Sequence, residues 1–142
     1  MNQSYIKDYI KLFSNLNLKN IKKFDDLVDS NIVFSDPFNY FKGNNNFKKV
    51  FYHMFENVKD PKFIILDYSI NKHRVFLKWK MTFYAFKSNH FIDGISEITL
   101  NNDGKINSHI DYWDSMNGLF IKLPFIGPFF RLCLKIFKVK LN

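Results

Sequence analysis

The sequence predicts an α+β fold, with helices packed on one face of a curved antiparallel sheet. Three observations carry this. The first part of the chain has apolar side chains at helical spacing, most clearly Phe47, Val50, Phe51, Met54 and Phe55. From Pro61 the period changes to two, with Val75, Leu77, Trp79, Met81 and Phe83 alternating with Lys78, Lys80 and Thr82. Asp103-Gly104-Lys105 then supplies a hairpin turn, because Gly accepts the positive φ that a tight turn needs. Helices first and a run of strands afterwards is the α+β order.

Taken in order, residues 3–16 place Tyr5, Ile6, Tyr9, Ile10, Leu12, Phe13 and Leu16 near the helical period. Asn17 to Asn20 interrupts that pattern, and Ile21 to Leu27 reads as a second, short helix. Ile32 to Phe34 is a short strand that stops at Asp36-Pro37, since proline lacks a donor and restrains the residue before it to extended geometry. Gly43 and Asn44 to Asn46 form a loop and cap before the third helix. Strands follow at Phe63 to Ile70, Arg74 to Phe86 and Phe91 to Leu100, and the last one contains His109 to Asp114.

The 142 residues suit one domain with a real core, and 46% apolar and 19% aromatic content excludes a disordered chain. Cys133 is the only cysteine, which excludes an intrachain disulfide or a cysteine-based zinc site and fits a reducing cytoplasm. No secretory pattern follows Met1. His53, His73, His90 and His109 lack metal-site spacing, so no metal is expected. There is no Gly-rich phosphate loop or nucleophile elbow. The net charge is +8, but Lys122, Arg131, Lys135, Lys138 and Lys140 lie in residues 115–142, which contain no acid. Arginine, the better fork for phosphate and guanine, occurs only at Arg74 and Arg131, so no nucleic-acid partner is expected.

In the last strand a period of two places Asn107, His109, Asp111 and Trp113 on one face, and Ile106, Ser108, Ile110, Tyr112 and Asp114 on the other. Facing a cavity, the first set offers an acid or base, a proton shuttle and an apolar wall. On a sheet rim, the same residues would simply be solvated. Asp114 reads as a turn or cap residue.

The tail differs in kind. Residues 118–130 are apolar and broken by Pro124, Gly127 and Pro128, and Arg131 to Lys140 reads as a basic amphipathic helix. Arg131, Lys135 and Lys138 fall at i, i+4 and i+7, one cationic stripe. With Lys122 they would meet anionic head groups if the helix lay in a membrane interface. The same helix would suit docking on its own domain or on a second subunit. No run approaches the roughly 20 residues needed to span a bilayer.

The order helix, helix, strand-Asp-Pro, helix and four strands ending in Asp111-Tyr112-Trp113-Asp114 resembles the NTF2-like superfamily, in its SnoaL-like and ketosteroid-isomerase-like branches. The resemblance covers the domain at residues 1–116 and leaves 117–142 as a separate tail. It implies a cone in which a strongly bent antiparallel sheet wraps the helices around a deep apolar pocket, commonly as a homodimer. Phe34-Ser35-Asp36-Pro37-Phe38 is similar to the isomerases' Asp-Pro-Phe motif, which makes Asp36 the implied general base. Lys7 to Leu12 resembles their first-helix segment, with Tyr9 as the implied oxyanion-hole donor. Tyr112-Trp113 matches the family's final-strand pair, whose Trp faces the pocket.

Two departures stand out. Ser96 falls where the isomerases carry a protonated Asp, a carboxylic acid kept neutral by an apolar site. The Arg-x-Asp pair of the limonene-epoxide hydrolases is replaced by Lys78-Trp79-Lys80. The resemblance implies a cofactor-independent enzyme acting on a hydrophobic small molecule by isomerisation, cyclisation, dehydration or hydrolysis. Asp36 would be its base, Tyr9 and Ser96 its donors, and His109 with Asp111 a second acid–base pair. Trp79, Trp113, Phe51 and Met54 would be pocket wall. The rival reading is a non-catalytic module that holds a hydrophobic ligand or sits on a membrane through its tail.

Overall fold

The computed structural model describes residues 4–139; Gln3 and Lys140, at the ends of the first and last expected helices, lie outside the described residues. Helix α1 (Ser4–Ser14) buries Ile6, Tyr9, Leu12 and Phe13, the stripe its spacing predicts. A tight turn of helix (Ile21–Lys23) leads into α2 (Phe24–Leu27), so the second helix is shorter and less regular than its pattern suggests. Strand β1 (Val28–Ser35) turns at Asp36-Pro37 into β2 (Tyr40–Lys42), a three-residue strand too short to leave a periodic signal. Helix α3 (Asn44–Asn57) is capped by Gly43 at φ 97°, where only glycine sits without strain.

Four long strands follow: β3 (Lys59–Asn71), β4 (Arg74–Ala85), β5 (Ser88–Leu100) and β6 (Ile106–Trp113). The six strands form one sheet in the order β2-β1-β6-β5-β4-β3. The pairings are antiparallel except one. Strand β1 runs parallel to β6, placing Phe34 beside His109, so the sheet is mixed rather than purely antiparallel. Such a parallel pair needs a long crossover, here the whole of α3 and β3 to β5. Pro61 is tolerated because β3 is a sheet edge, where a missing donor breaks no ladder.

The faces of β6 are not those of a uniform period. Thr99 pairs with Ser108 and Leu100 with Ile106, so Asn107 is a bulge residue. The extra residue turns Ile106 inward on the same side as His109, and both are buried. Asn107 therefore leaves the inward set, while His109 and Asp111 keep their place in it.

The interior of the cone is filled by rings. Phe24 lies 5.1 Å from Phe47, Phe47 lies 5.0 Å from Phe51, and Phe13 lies 5.4 Å from Phe51, centroid to centroid. The deep pocket implied by the resemblance is reduced to a cavity of about 20 Å³. That is room for about one water molecule. Aromatic side chains projecting from α1, α2 and α3 occupy the volume that a large ligand would need.

After β6 the chain forms α4 (Ser115–Gly118), a single turn at Phe120–Lys122, and α5 (Gly127–Leu134). Asp114 caps α4 by accepting a hydrogen bond from the Asn117 N–H at 2.9 Å. Asn117 Nδ2 also donates to Asp114 Oδ2, and this bond first, with the backbone bond second, lowers the Asp114 pKa. The last helix starts and stops earlier than Arg131 to Lys140. Pro128 suits a first helical turn, where no N–H partner is required. Lys135 and Lys138 fall beyond its end, so Arg131, Lys135 and Lys138 do not form a stripe on one helix.

Candidate functional site

The inward residues of β6 and β5 face each other across the ladder. Asp111 pairs with Ser96 and His109 with Ile98. On the other side of β5, Leu77 pairs with Ser96 and Trp79 with Gly94. Two neighbouring rows thus bring a carboxylate, a hydroxyl and an indole together. Tyr9 reaches the group from α1, 100 residues away in sequence from His109.

Five side chains form one continuous hydrogen-bonded chain. Trp79 Nε1 donates to Ser96 Oγ at 2.8 Å, and Ser96 Oγ donates to Asp111 Oδ1 at 2.5 Å. His109 Nε2 lies 2.8 Å from the same Asp111 oxygen, and Tyr9 Oη lies 2.6 Å from His109 Nδ1. The proton positions follow from the partners. An indole N–H can only donate and a carboxylate can only accept, so Ser96 passes its hydrogen to Asp111 and His109 carries a proton on Nε2. With that single proton on the ring, Nδ1 is left to accept from the Tyr9 hydroxyl. Every donor in the chain points towards Asp111.

Burial sharpens these bonds. Tyr9, Ser96 and His109 are 0%, 1% and 2% exposed, whereas the Asp111 side chain is 19% exposed. The His109 ring lies among Phe13, Phe34 and Phe47, at 5.6, 5.6 and 5.8 Å. Asp111 Oδ2 has no hydrogen-bond partner among the described residues, and Asp111 is where the network meets solvent. Ser96, His109, Asp111 and the Trp79 ring form one wall of the small cavity, and Phe13, Phe51, Phe63 and Leu77 form much of the rest.

The Tyr9 phenol is held well above its ordinary value of 10.0, first by burial and then by the negative charge of Asp111. A tyrosine in the unfolded chain ionises near that ordinary value. Below it both states are protonated, and Tyr9 adds no pH dependence. Above it the unfolded state loses a proton that the folded state keeps, so stability falls as pH rises. Urea midpoints taken on both sides of pH ~10 should therefore drop less in Tyr9→Phe than in the wild type; equal drops would show that the loss comes from other groups.

Gly94 is a residue that the motifs do not reveal. The Trp79 indole lies flat against the β5 backbone there, and a Cβ on residue 94 would collide with its ring. The close approach lets Nε1 reach Ser96, two residues along β5. Gly94→Ala should displace the indole and cost about 1–3 kcal/mol, read as a lower urea midpoint together with a changed near-ultraviolet tryptophan signal. An unchanged tryptophan signal would exclude this role. The only sequence cue was a glycine inside a strand pattern, which marks close backbone approach.

The other expected site residues lie apart from the network. Asp36 accepts backbone N–H bonds from Phe38 and Asn39 at 2.7 Å each, and Asn39 Nδ2 donates to both of its oxygens. It shapes the β1–β2 turn and is not part of the cavity wall. A carboxylate before proline is well suited to such a turn, because its oxygens reach the next free N–H groups. Met54 is half-buried against the core but does not line the cavity. Trp113 is also outside the cavity wall, with Phe38 edge-on at 5.4 Å. Phe51 and Trp79 do line it.

The model of the SnoaL-like domain matches residues 9–109, more than two thirds of the chain. No curated protein matches the sequence. Among solved structures, an NTF2-like protein of unknown function from Exiguobacterium sp. 255-15 is 21% identical, with a TM-score of 0.66, over 78% of this chain and 98% of that one. An LEH-like epoxide hydrolase from M. tuberculosis is 12% identical, with a TM-score of 0.65, over 94% and 93%. TerC co-crystallised with polyporic acid is 11% identical, with a TM-score of 0.68, over 80% and 93%. At these identities the structural likenesses establish the fold, and the match to the domain model establishes the family. A mixed sheet bent around α1 and α3 and a match that runs from Tyr9 to His109 lead to one assignment: the chain belongs to the SnoaL-like domain family, on an NTF2-like fold.

Proposed function

We propose that the protein is a cofactor-independent acid–base enzyme acting on a hydrophobic small molecule, with Asp111 as its proton acceptor. The observation that carries this reading is the pair of hydrogen-bonded arms, Trp79 through Ser96 and Tyr9 through His109, that converge on Asp111, the partly exposed carboxylate of a cavity lined mainly by apolar side chains. Ser96 and His109 fix the orientation of Asp111 and spread its charge, leaving Oδ2 to face a reacting group. Tyr9 holds the His109 tautomer from behind. In this reading Tyr9, Ser96 and His109 position the base, whereas the isomerase resemblance implies Tyr9 and Ser96 as enolate-binding donors and the sequence offers His109 with Asp111 as a second acid–base pair.

The size of the cavity narrows the chemistry. A space of about 20 Å³ beside the carboxylate admits one water, or the tip of a substrate, and does not admit a fused ring system. That favours addition or removal of water over isomerisation of a large steroid-like skeleton. A water held against Asp111 Oδ2 would pass a proton to the carboxylate as it attacks; in the reverse direction the protonated Asp111 would return that proton to the departing hydroxyl, which leaves as water. The exposed Phe76, Ile95 and Tyr112 on the outer sheet face support the homodimer that the family resemblance implies.

The packed ring core favours a second reading, a ligand-binding module whose buried polar chain is purely structural. One experiment separates the two. Hydrophobic compounds that co-purify with the protein are identified by mass spectrometry and incubated with it in ¹⁸O-labelled water. Oxygen incorporation by the wild type that is lost in Asp111→Asn supports the enzyme. Compounds recovered unlabelled from the wild type overturn the enzyme reading and leave a binding protein.

A further inference from the structure

The tail is a built hairpin with one face docked and the other bare. Its inner face is pinned by specific contacts: Phe120 meets Phe38 at 5.9 Å and stacks on Phe130 at 5.4 Å. Arg131 Nη1 donates to the Ile121 carbonyl at 2.6 Å. Gly127 lets α5 approach the same carbonyl, against which a Cβ on residue 127 would collide. Lys122, one of the expected surface cations, is drawn back over the Phe91 ring and donates to the Phe91 carbonyl at 3.3 Å.

The outer face is held far less: among the described residues its ring contact is that of Phe129, edge-on to the neighbouring Phe130 at 5.7 Å. Phe125 at the hairpin tip is 93% exposed, and Phe129, Leu132, Ile136 and Phe137 are all strongly exposed. A cluster of large apolar side chains this bare is costly in water unless something covers it. Arg131, Lys135 and Lys138 are exposed alongside them, and residues 115–139 contain no acidic side chain. Among the described residues no helix is long and apolar enough to cross a membrane.

From this juxtaposition of a bare apolar tip with uncompensated cations, we propose that residues 119–139 form a docking surface for an anionic lipid bilayer, with Phe125 and Phe129 inserted among the acyl chains and Lys135 and Lys138 at the head groups. Charge complementarity selects this occupant. An anionic leaflet supplies negative charge across the whole face and an apolar layer directly beneath it, whereas a second copy would bring the same cations against these. The hairpin is prearranged by its docked face, so insertion does not require the segment to fold first. The proposal is independent of the chemistry at Asp111.

The test uses the full chain and vesicle flotation, with phosphatidylcholine alone and with phosphatidylcholine containing phosphatidylserine. The expected result is binding to the serine-containing vesicles only, weakened by salt. Lys135→Gln with Lys138→Gln should lower the partition coefficient about fivefold for each cation removed, and Phe125→Ser with Phe129→Ser should abolish binding. These residues are exposed, and an unchanged thermal midpoint would confirm that the variants remain folded. Equal binding to both compositions, or to neither, would overturn the proposal. So would self-association that Phe125→Ser removes, because it would assign the face to a second copy.

Discussion

Asp111→Asn should lower turnover by about 10²–10⁴-fold while leaving the fold intact, the range expected when a positioned base is removed. The substitution keeps the shape of the side chain. If its amide oxygen takes the Oδ1 position, Ser96 and His109 retain an acceptor. What it removes is the capacity to take up a proton. Its amide nitrogen would sit where Oδ2 now stands, a donor facing the reacting group instead of a base. Asp36→Asn is the informative companion, since the isomerase resemblance points to Asp36 whereas the structure uses it to shape the β1–β2 turn. Turnover lost in Asp111→Asn and retained in Asp36→Asn supports the assignment. The opposite pattern would return the base to Asp36 and reduce the Asp111 network to a structural role.

The largest effect on stability is expected at His109. Its ring is 2% exposed and packed among three phenylalanines, and both of its nitrogens are hydrogen-bonded. His109→Ala would open a cavity in a dense aromatic core and leave the Tyr9 hydroxyl buried without an acceptor. Together these should cost about 3–5 kcal/mol, measured as a shift in urea midpoint. His109→Phe separates the two contributions, because it refills the volume but not the polar contact. Tyr9→Phe combined with His109→Phe should then recover much of the loss, since an apolar pair of similar shape leaves no buried hydroxyl unpaired. If the double variant is as unstable as the sum of the singles, the Tyr9–His109 bond is not the coupling that holds this end of the core.

Local periodicity carried much of the molecule. The stripe on α1 buries Tyr9, the alternation on β4 buries Trp79, and the shared face of His109 and Asp111 on β6 is visible because adjacent residues of a strand point to opposite sides. The turn at Gly104, the cap at Asp114 and the acid-free tail are equally local. Volume and register are not local. No pattern within β6 reveals the bulge at Asn107, and only the pairing of β5 with β6 sets Ser96 opposite Asp111. The bond from Tyr9 to His109 joins residues that meet only when α1 crosses the sheet. Whether a cone is hollow or filled depends on how rings from α1, α2 and α3 share one space. The sequence by itself therefore determined which side chains share a face of most elements and where charge collects. The tertiary structure alone decided that the Asp36 carboxylate accepts the turn N–H groups, that two hydrogen-bonded arms converge on Asp111, and that a water-sized cavity stands in place of a deep pocket, because side-chain direction repeats along a strand whereas distance and free volume depend on the whole chain.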